Sequence, residues 1–123
     1  MNAYGYQQYK EQSVNTMTQG EMLMLLYDEL VKRIARAEMS LTQENYELFD
    51  QSVIRASEIV TYLKSTLNWD YEISGELSRM YDFFLYELSR IKAGRSITII
   101  KELKPLVEDL RNTFREVVKQ TKD

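Results

Sequence analysis

Residues 43–67 read QENYELFDQSVIRASEIVTYLKSTL, and the apolar positions in this stretch set the fold class. Tyr46, Phe49, Val53, Ala56, Ile59, Val60, Leu63 and Leu67 recur at intervals of three and four residues, apart from the adjacent Ile59-Val60. That is the period of one face of an α-helix. Thr42 stands just before the stripe and is read as its N-cap, because a threonine hydroxyl can accept from the first free N–H groups of a helix. The stretch therefore predicts one helix over about 43–67.

The same reading works outward in both directions. Upstream, Leu23, Leu26, Leu30, Ile34 and Ala37 keep helical spacing, with Thr18 as N-cap and Glu21 three residues on. This predicts a first helix over about 19–39. Downstream, a third helix is expected over about 74–93. Ser74 is read as its cap, Ile73 and Leu77 open its apolar face, and Gly94 is placed at the left-handed stop position. A fourth is expected over about 96–119, where Leu103, Val107, Leu110, Phe114 and Val117 alternate spacings of four and three as in an a/d seam. Pro105 interrupts this seam. It removes one helix hydrogen bond and crowds the carbonyl of Lys101, but the apolar rhythm crosses it, so one kinked helix is expected.

Short connections at Ser40–Thr42, Asn68–Ile73 and Gly94–Arg95 force antiparallel neighbours. The expected fold is all-α: an antiparallel up-down-up-down four-helix bundle over residues 19–123, preceded by a Tyr-rich N-terminal tail over residues 1–18. One Pro and four Gly in 123 residues agree with long helices. A short echo accompanies them, because Leu26-Tyr27-Asp28 resembles Met80-Tyr81-Asp82 on the third helix.

Composition removes most enzyme chemistry. The chain has neither Cys nor His. It can build no thiol nucleophile, disulfide, imidazole base, Ser-His-Asp triad or His-containing zinc site. No catalytic residue, cofactor or metal is assigned. Asp28 and Asp82 are the one carboxylate pair to weigh, since acid–base work needs two such groups facing a pocket. Sixteen basic against nineteen acidic residues argue against a nucleic-acid partner. The longest apolar run, Met22 to Tyr27, is too short to span a bilayer. The N-terminal stretch has no apolar segment of signal type. A soluble cytoplasmic protein is the expectation.

Apolar residues nevertheless exceed what a bundle core needs. A bundle helix requires an apolar stripe over about three positions in seven. Met22-Leu23-Met24-Leu25-Leu26-Tyr27 surrounds the first helix completely, and Tyr81, Phe83, Phe84, Leu85, Tyr86 and Leu88 nearly do so on the third. Such faces are covered by the tail, with Tyr4, Tyr6 and Tyr9, or by a partner; otherwise they pack at bundle ends, under loops or in a homodimer. Trp69, in the loop between the second and third helices, is read as a lid on the bundle end.

Along nearly its whole length the chain resembles the flagellar export chaperone family FliS. The resemblance rests on Tyr6-x-x-Tyr9, Ser13-Val14-Asn15-Thr16, Glu21-Met22 through Leu26-Tyr27-Asp28, Thr66-Leu67-Asn68, Met80-Tyr81-Asp82-Phe83 and Leu110-Arg111-Asn112-Thr113-Phe114. The order, spacing and helix placement of these pieces carry it more than any one of them. Gln19 departs from the family's common Pro, Phe114 from its usual Trp, and Tyr86-Glu87 from a frequent Arg-Arg. The resemblance implies a bacterial cytosolic chaperone of flagellar type III export. Such a chaperone binds the disordered C-terminal segment of flagellin in apolar grooves, prevents premature polymerisation and helps deliver the client to a component of the export gate. A co-chaperone on the outer face is a further partner compatible with it. Tyr6 and Tyr9 would be tail contacts. Met24 and Tyr27 on the first helix, Tyr81 and Leu85 on the third, and Ile54 off the main stripe of the second would be groove contacts. The alternatives are a structural homo-oligomeric bundle or a chaperone for a different secreted client.

Overall fold

The computed structural model describes residues 18–120. Among them lie four helices and no strand: α1 (Gln19–Thr42), α2 (Tyr46–Ser65), α3 (Ile73–Gly94) and α4 (Ile97–Gln120). Each helix packs on the next in sequence, and α4 closes the ring against α1, so α1 and α3 are diagonal partners, as are α2 and α4. The order is up-down-up-down. None of these helices is long and apolar enough to cross a membrane.

Most residues of the stripes read from sequence form the core, whereas Tyr46 and Ile73, at the starts of α2 and α3, are exposed. Leu30, Ile34 and Ala37 of α1 meet Phe49, Val53, Ala56, Val60 and Leu63 of α2. Leu77, Phe84, Leu88 and Ile91 of α3 and Ile100, Leu103 and Val107 of α4 complete it. Toward the C-terminus of α4 the seam loosens. Leu110 and Phe114 are half-buried and Val117 is exposed. Helix α4 runs unbroken through Pro105, whose ring lies on the solvent side.

The helix ends explain most differences from the expected boundaries. Thr18 caps α1 as expected, its hydroxyl accepting from the Glu21 N–H at 3.1 Å. Thr42 does not cap α2. It is the last residue of α1, and its hydroxyl donates back to the Glu38 carbonyl at 3.0 Å, which lets a threonine remain helical. Helix α1 then closes with Glu44 in the left-handed region (φ 59°). The Asn45 N–H reaches the Ser40 carbonyl and the Glu44 N–H the Leu41 carbonyl, the paired bonds of a Schellman end. Asn45 takes over as the cap of α2, accepting from the Leu48 N–H at 3.3 Å.

Ser74 is likewise not a cap. It is buried inside the first turn of α3, where its hydroxyl donates to the Asn68 carbonyl and ties the loop to the helix. At the other end of α3 the left-handed residue is Arg95 (φ 47°), one position beyond Gly94. A non-glycine there costs about 1 kcal/mol. The Arg95 guanidinium lies 3.8 Å from the centre of the Tyr46 ring at the start of α2, a cation–π contact of comparable size that offsets the cost.

Candidate functional site

Three apolar concavities lie among the described residues, and α3 contributes to each of them. The first lies between α2 and the C-terminal half of α3. Val53, Ile54, Thr61, Tyr62, Leu88 and Lys92 line a groove of about 600 Å3. Val53 and Leu88 form its floor, while Ile54 and Tyr62 stand half exposed on its rim. The second runs along the α3–α4 seam, the least closely packed side of the bundle. Met80, Phe83 and Leu106 are exposed there above Phe84 and Leu110, around a groove of about 300 Å3.

The third is a cleft of about 510 Å3 at the bundle end where α1 begins and α4 finishes. Leu23, Leu67, Leu77, Leu110, Phe114 and Val117 form its walls, and Tyr71 and Ile73 stand at its edge. Trp69, expected as the lid here, is exposed and lies outside the cleft lining. The reason is local. The Asn68 side chain accepts from the Asp70 N–H at 3.0 Å and the Asn68 carbonyl from the Tyr71 N–H at 3.2 Å, a tight turn with Trp69 at its tip.

Tyr81 lies at the inner end of this cleft, and its hydroxyl shares a hydrogen bond with that of Tyr27 across the bundle diagonal. Tyr27 is wholly enclosed, with the Phe114 ring stacked 5.0 Å away at 27°. Burial, reinforced by the neighbouring Tyr81, pushes the Tyr27 phenol far above the usual tyrosine range. Burial also raises Tyr81, and its hydrogen bond with Tyr27 works in the opposite direction.

The sequence-derived residues fall in different places. Ile54 is a rim residue of the α2–α3 groove. Tyr27 and Tyr81 are brought together, but as buried groups: Tyr81 reaches only the cleft floor, and Tyr27 lines none of the three concavities. Met24 and Leu85 are half-buried, and Leu85 packs against the core. Tyr6 and Tyr9 lie outside the described residues. Tyr62, Met80, Phe83 and Leu106 were not singled out as contacts from sequence. Met80 enters the sequence reading only within motifs and Phe83 also within the apolar surplus of the third helix, whereas Tyr62 and Leu106 lie off the stripes, each followed by a core residue, Leu63 and Val107.

The paired-carboxylate reading finds no support in the geometry. Asp28 faces α4, 3.3 Å from Arg115 and 4.0 Å from Arg111. Asp82 faces α2, where it accepts from Lys64 at 2.6 Å. The two carboxylates sit on different seams, each occupied by a cation.

A sequence profile of the family described as flagellar protein FliS matches residues 1–121 of this chain. The chain belongs to the FliS family. It is also similar to the flagellar secretion chaperone FliS of Bacillus subtilis, at 28% identity over 113 residues, covering 92% of this chain and 85% of that protein. Among solved structures it resembles a bacterial flagellar chaperone at a TM-score of 0.78 and 18% identity, covering 95% of this chain and 97% of that one; this likeness bears on the fold.

The FliS-like pieces that lie among the described residues meet at one end of the bundle. Tyr27 and Tyr81 bond to each other, Phe114 stacks on Tyr27, Arg111 approaches Asp28, and Thr66, Leu67 and Asn68 border the same cleft. Where this chain carries Phe in place of the family's usual Trp, the aromatic contact to Tyr27 is kept. Glu87, in the stretch often Arg-Arg, is buried and paired with Arg90 at 3.1 Å. That arrangement puts no free basic charge at Glu87.

Proposed function

We propose that this FliS-family protein is a flagellar export chaperone that acts by binding, without catalysis. It holds the disordered C-terminal segment of flagellin against its apolar surface, keeps that segment from polymerising in the cytosol, and presents the client to the flagellar export gate. The observation that supports this most directly is the arrangement of the concavities. One helix, α3, borders two apolar grooves and the end cleft, so a segment passing around it can bury Ile54, Tyr62, Met80, Phe83 and Leu106. A disordered client loses conformational entropy as it orders, and a large apolar area offsets that loss. Side chains such as Met and Tyr suit contacts that must later be released. Tyr6, Tyr9, Met24 and Leu85 remain in the proposed contact set, with Ile54 as its best placed member.

The test is calorimetric titration with a peptide covering the C-terminal segment of a flagellin from the same organism. Saturable one-to-one binding with a negative heat-capacity change is expected. Absence of binding by an intact peptide to folded protein would overturn the proposal. Sedimentation of the same samples would then report whether self-association covers the apolar faces.

A further inference from the structure

The Tyr27–Tyr81 pair has one more proton than it uses. Two phenols carry two hydroxyl protons, and the bond between them occupies one. No described residue accepts the other. The geometry says which hydroxyl holds it. Tyr81 lines the end cleft, whereas Tyr27 is sealed behind it under Phe114. Were Tyr81 the donor, the Tyr27 proton would be left in a sealed site without an acceptor; with Tyr27 as the donor, the remaining proton belongs to Tyr81, beside the cleft, and this is the less costly arrangement.

A hydroxyl proton enclosed by apolar walls and lacking an acceptor is costly, and an incoming acceptor relieves that cost. We propose that the end cleft is a client subsite in which the Tyr81 hydroxyl donates to a carbonyl oxygen of a bound peptide. The residue that carries that carbonyl, or its neighbour, seats an apolar side chain against Leu77, Leu110 and Phe114. The cleft suits this occupant: its lining is mostly apolar, the Ser74 and Thr66 hydroxyls that share it already donate to the Asn68 and Leu63 carbonyls, and no charged residue lines it. A carboxylate or a cation would lose its hydration there without a counter-charge. A neutral peptide carbonyl beside an apolar side chain fits both features. The subsite rests on the client-binding reading above and adds to it a polar contact of defined direction.

The test uses Tyr81→Phe and Tyr27→Phe in the full chain, titrated with the flagellin C-terminal peptide. Both variants lose the same Tyr–Tyr bond, so a purely structural role predicts equal effects. A donor role predicts asymmetry. Tyr81→Phe should weaken the peptide by about tenfold, the size of one neutral hydrogen bond. Tyr27→Phe keeps the outward hydroxyl and should bind within about twofold of the parent. Equal weakening, or parental affinity in Tyr81→Phe, would overturn the subsite while leaving the chaperone reading intact. A parent protein that does not bind the peptide would remove both. Should Tyr81→Phe fail to fold, carbon-13 labelling of the tyrosine ζ positions in the parent decides the matter. On peptide addition the Tyr81 signal should move more than that of Tyr27, and an unmoved Tyr81 signal would refute the proposal.

Discussion

Replacing Ile54 by Ala separates a docking surface from a core. Ile54 is 46% exposed on the rim of the α2–α3 groove. Burying an isoleucine side chain completely is worth about 1.5–3 kcal/mol. With roughly half of its surface still in water, about 0.7–1.4 kcal/mol remains to be gained when a client covers it. Alanine forfeits most of that gain, which corresponds to a roughly threefold to tenfold rise in Kd. The effect on folding is of similar origin but smaller, because alanine recovers about 0.4 kcal/mol of helix propensity. A drop in Tm of at most about 4 °C follows for a domain of this size. Calorimetric titration of the flagellin peptide, with thermal melts by circular dichroism, measures both. The control is Met39→Ala on α1, which is exposed but lines none of the three concavities. It should bind as the parent does. Parental affinity in Ile54→Ala, or an equal loss in both variants, would refute the assignment of this groove.

Further outcomes follow from other parts of the bundle. Pro105→Ala restores the N–H to the Lys101 carbonyl and relieves the ring contact, together about 3 kcal/mol; set against the roughly 0.4–1 kcal/mol of unfolded-state entropy that Pro removes, the net gain is about 2 kcal/mol, seen as a higher urea midpoint at unchanged m. Ser52→Ala removes a buried hydroxyl without a hydrogen-bond partner among the described residues and should stabilise by about 1 kcal/mol in the same assay. Alkaline stability tests the tyrosine pair. Both phenols are raised in the folded state, so their contribution is intact below about pH 10, where unfolded tyrosines ionise, and is lost as pH climbs beyond it. The double variant Tyr27→Phe/Tyr81→Phe should show a flatter decline above that pH.

Helix number, order and inward faces were legible because each apolar stripe spans several turns and tertiary packing agrees with it. The caps were less so. Thr42, Glu44, Asn45 and Ser74 all have polar side chains in the right neighbourhood, and the choice among them depends on the left-handed turn at Glu44 and on the bond from Ser74 to the Asn68 carbonyl. Neither is a local propensity. The surplus of apolar residues was visible on α1 and α3, but its placement was not. Most of the α1 surplus is half-buried, whereas Tyr62 and Leu106, unremarkable in sequence, stand exposed beside α3. The Tyr27–Tyr81 bond joins residues 54 apart, and only the diagonal geometry of the bundle could reveal it.

The two ends of the bundle are tied differently. At one end, the α1–α2 and α3–α4 turns are short, and the Arg95 side chain on the Tyr46 ring fastens one to the other. At the opposite end a single loop links α2 to α3, while α1 starts and α4 stops without a covalent link between them. The covalent ties thus resemble a clothes-peg, with its pivot at Arg95 and its jaws at the cleft, where the Tyr27–Phe114 stack and the Asp28–Arg115 pair hold α1 to α4. Thermal opening is expected to spread the jaws before it loosens the pivot. Amide exchange should therefore be faster in the cleft-side turns of α1 and α4 than in the turns near Tyr46. A client wedged between the jaws would slow exchange across the whole cleft end.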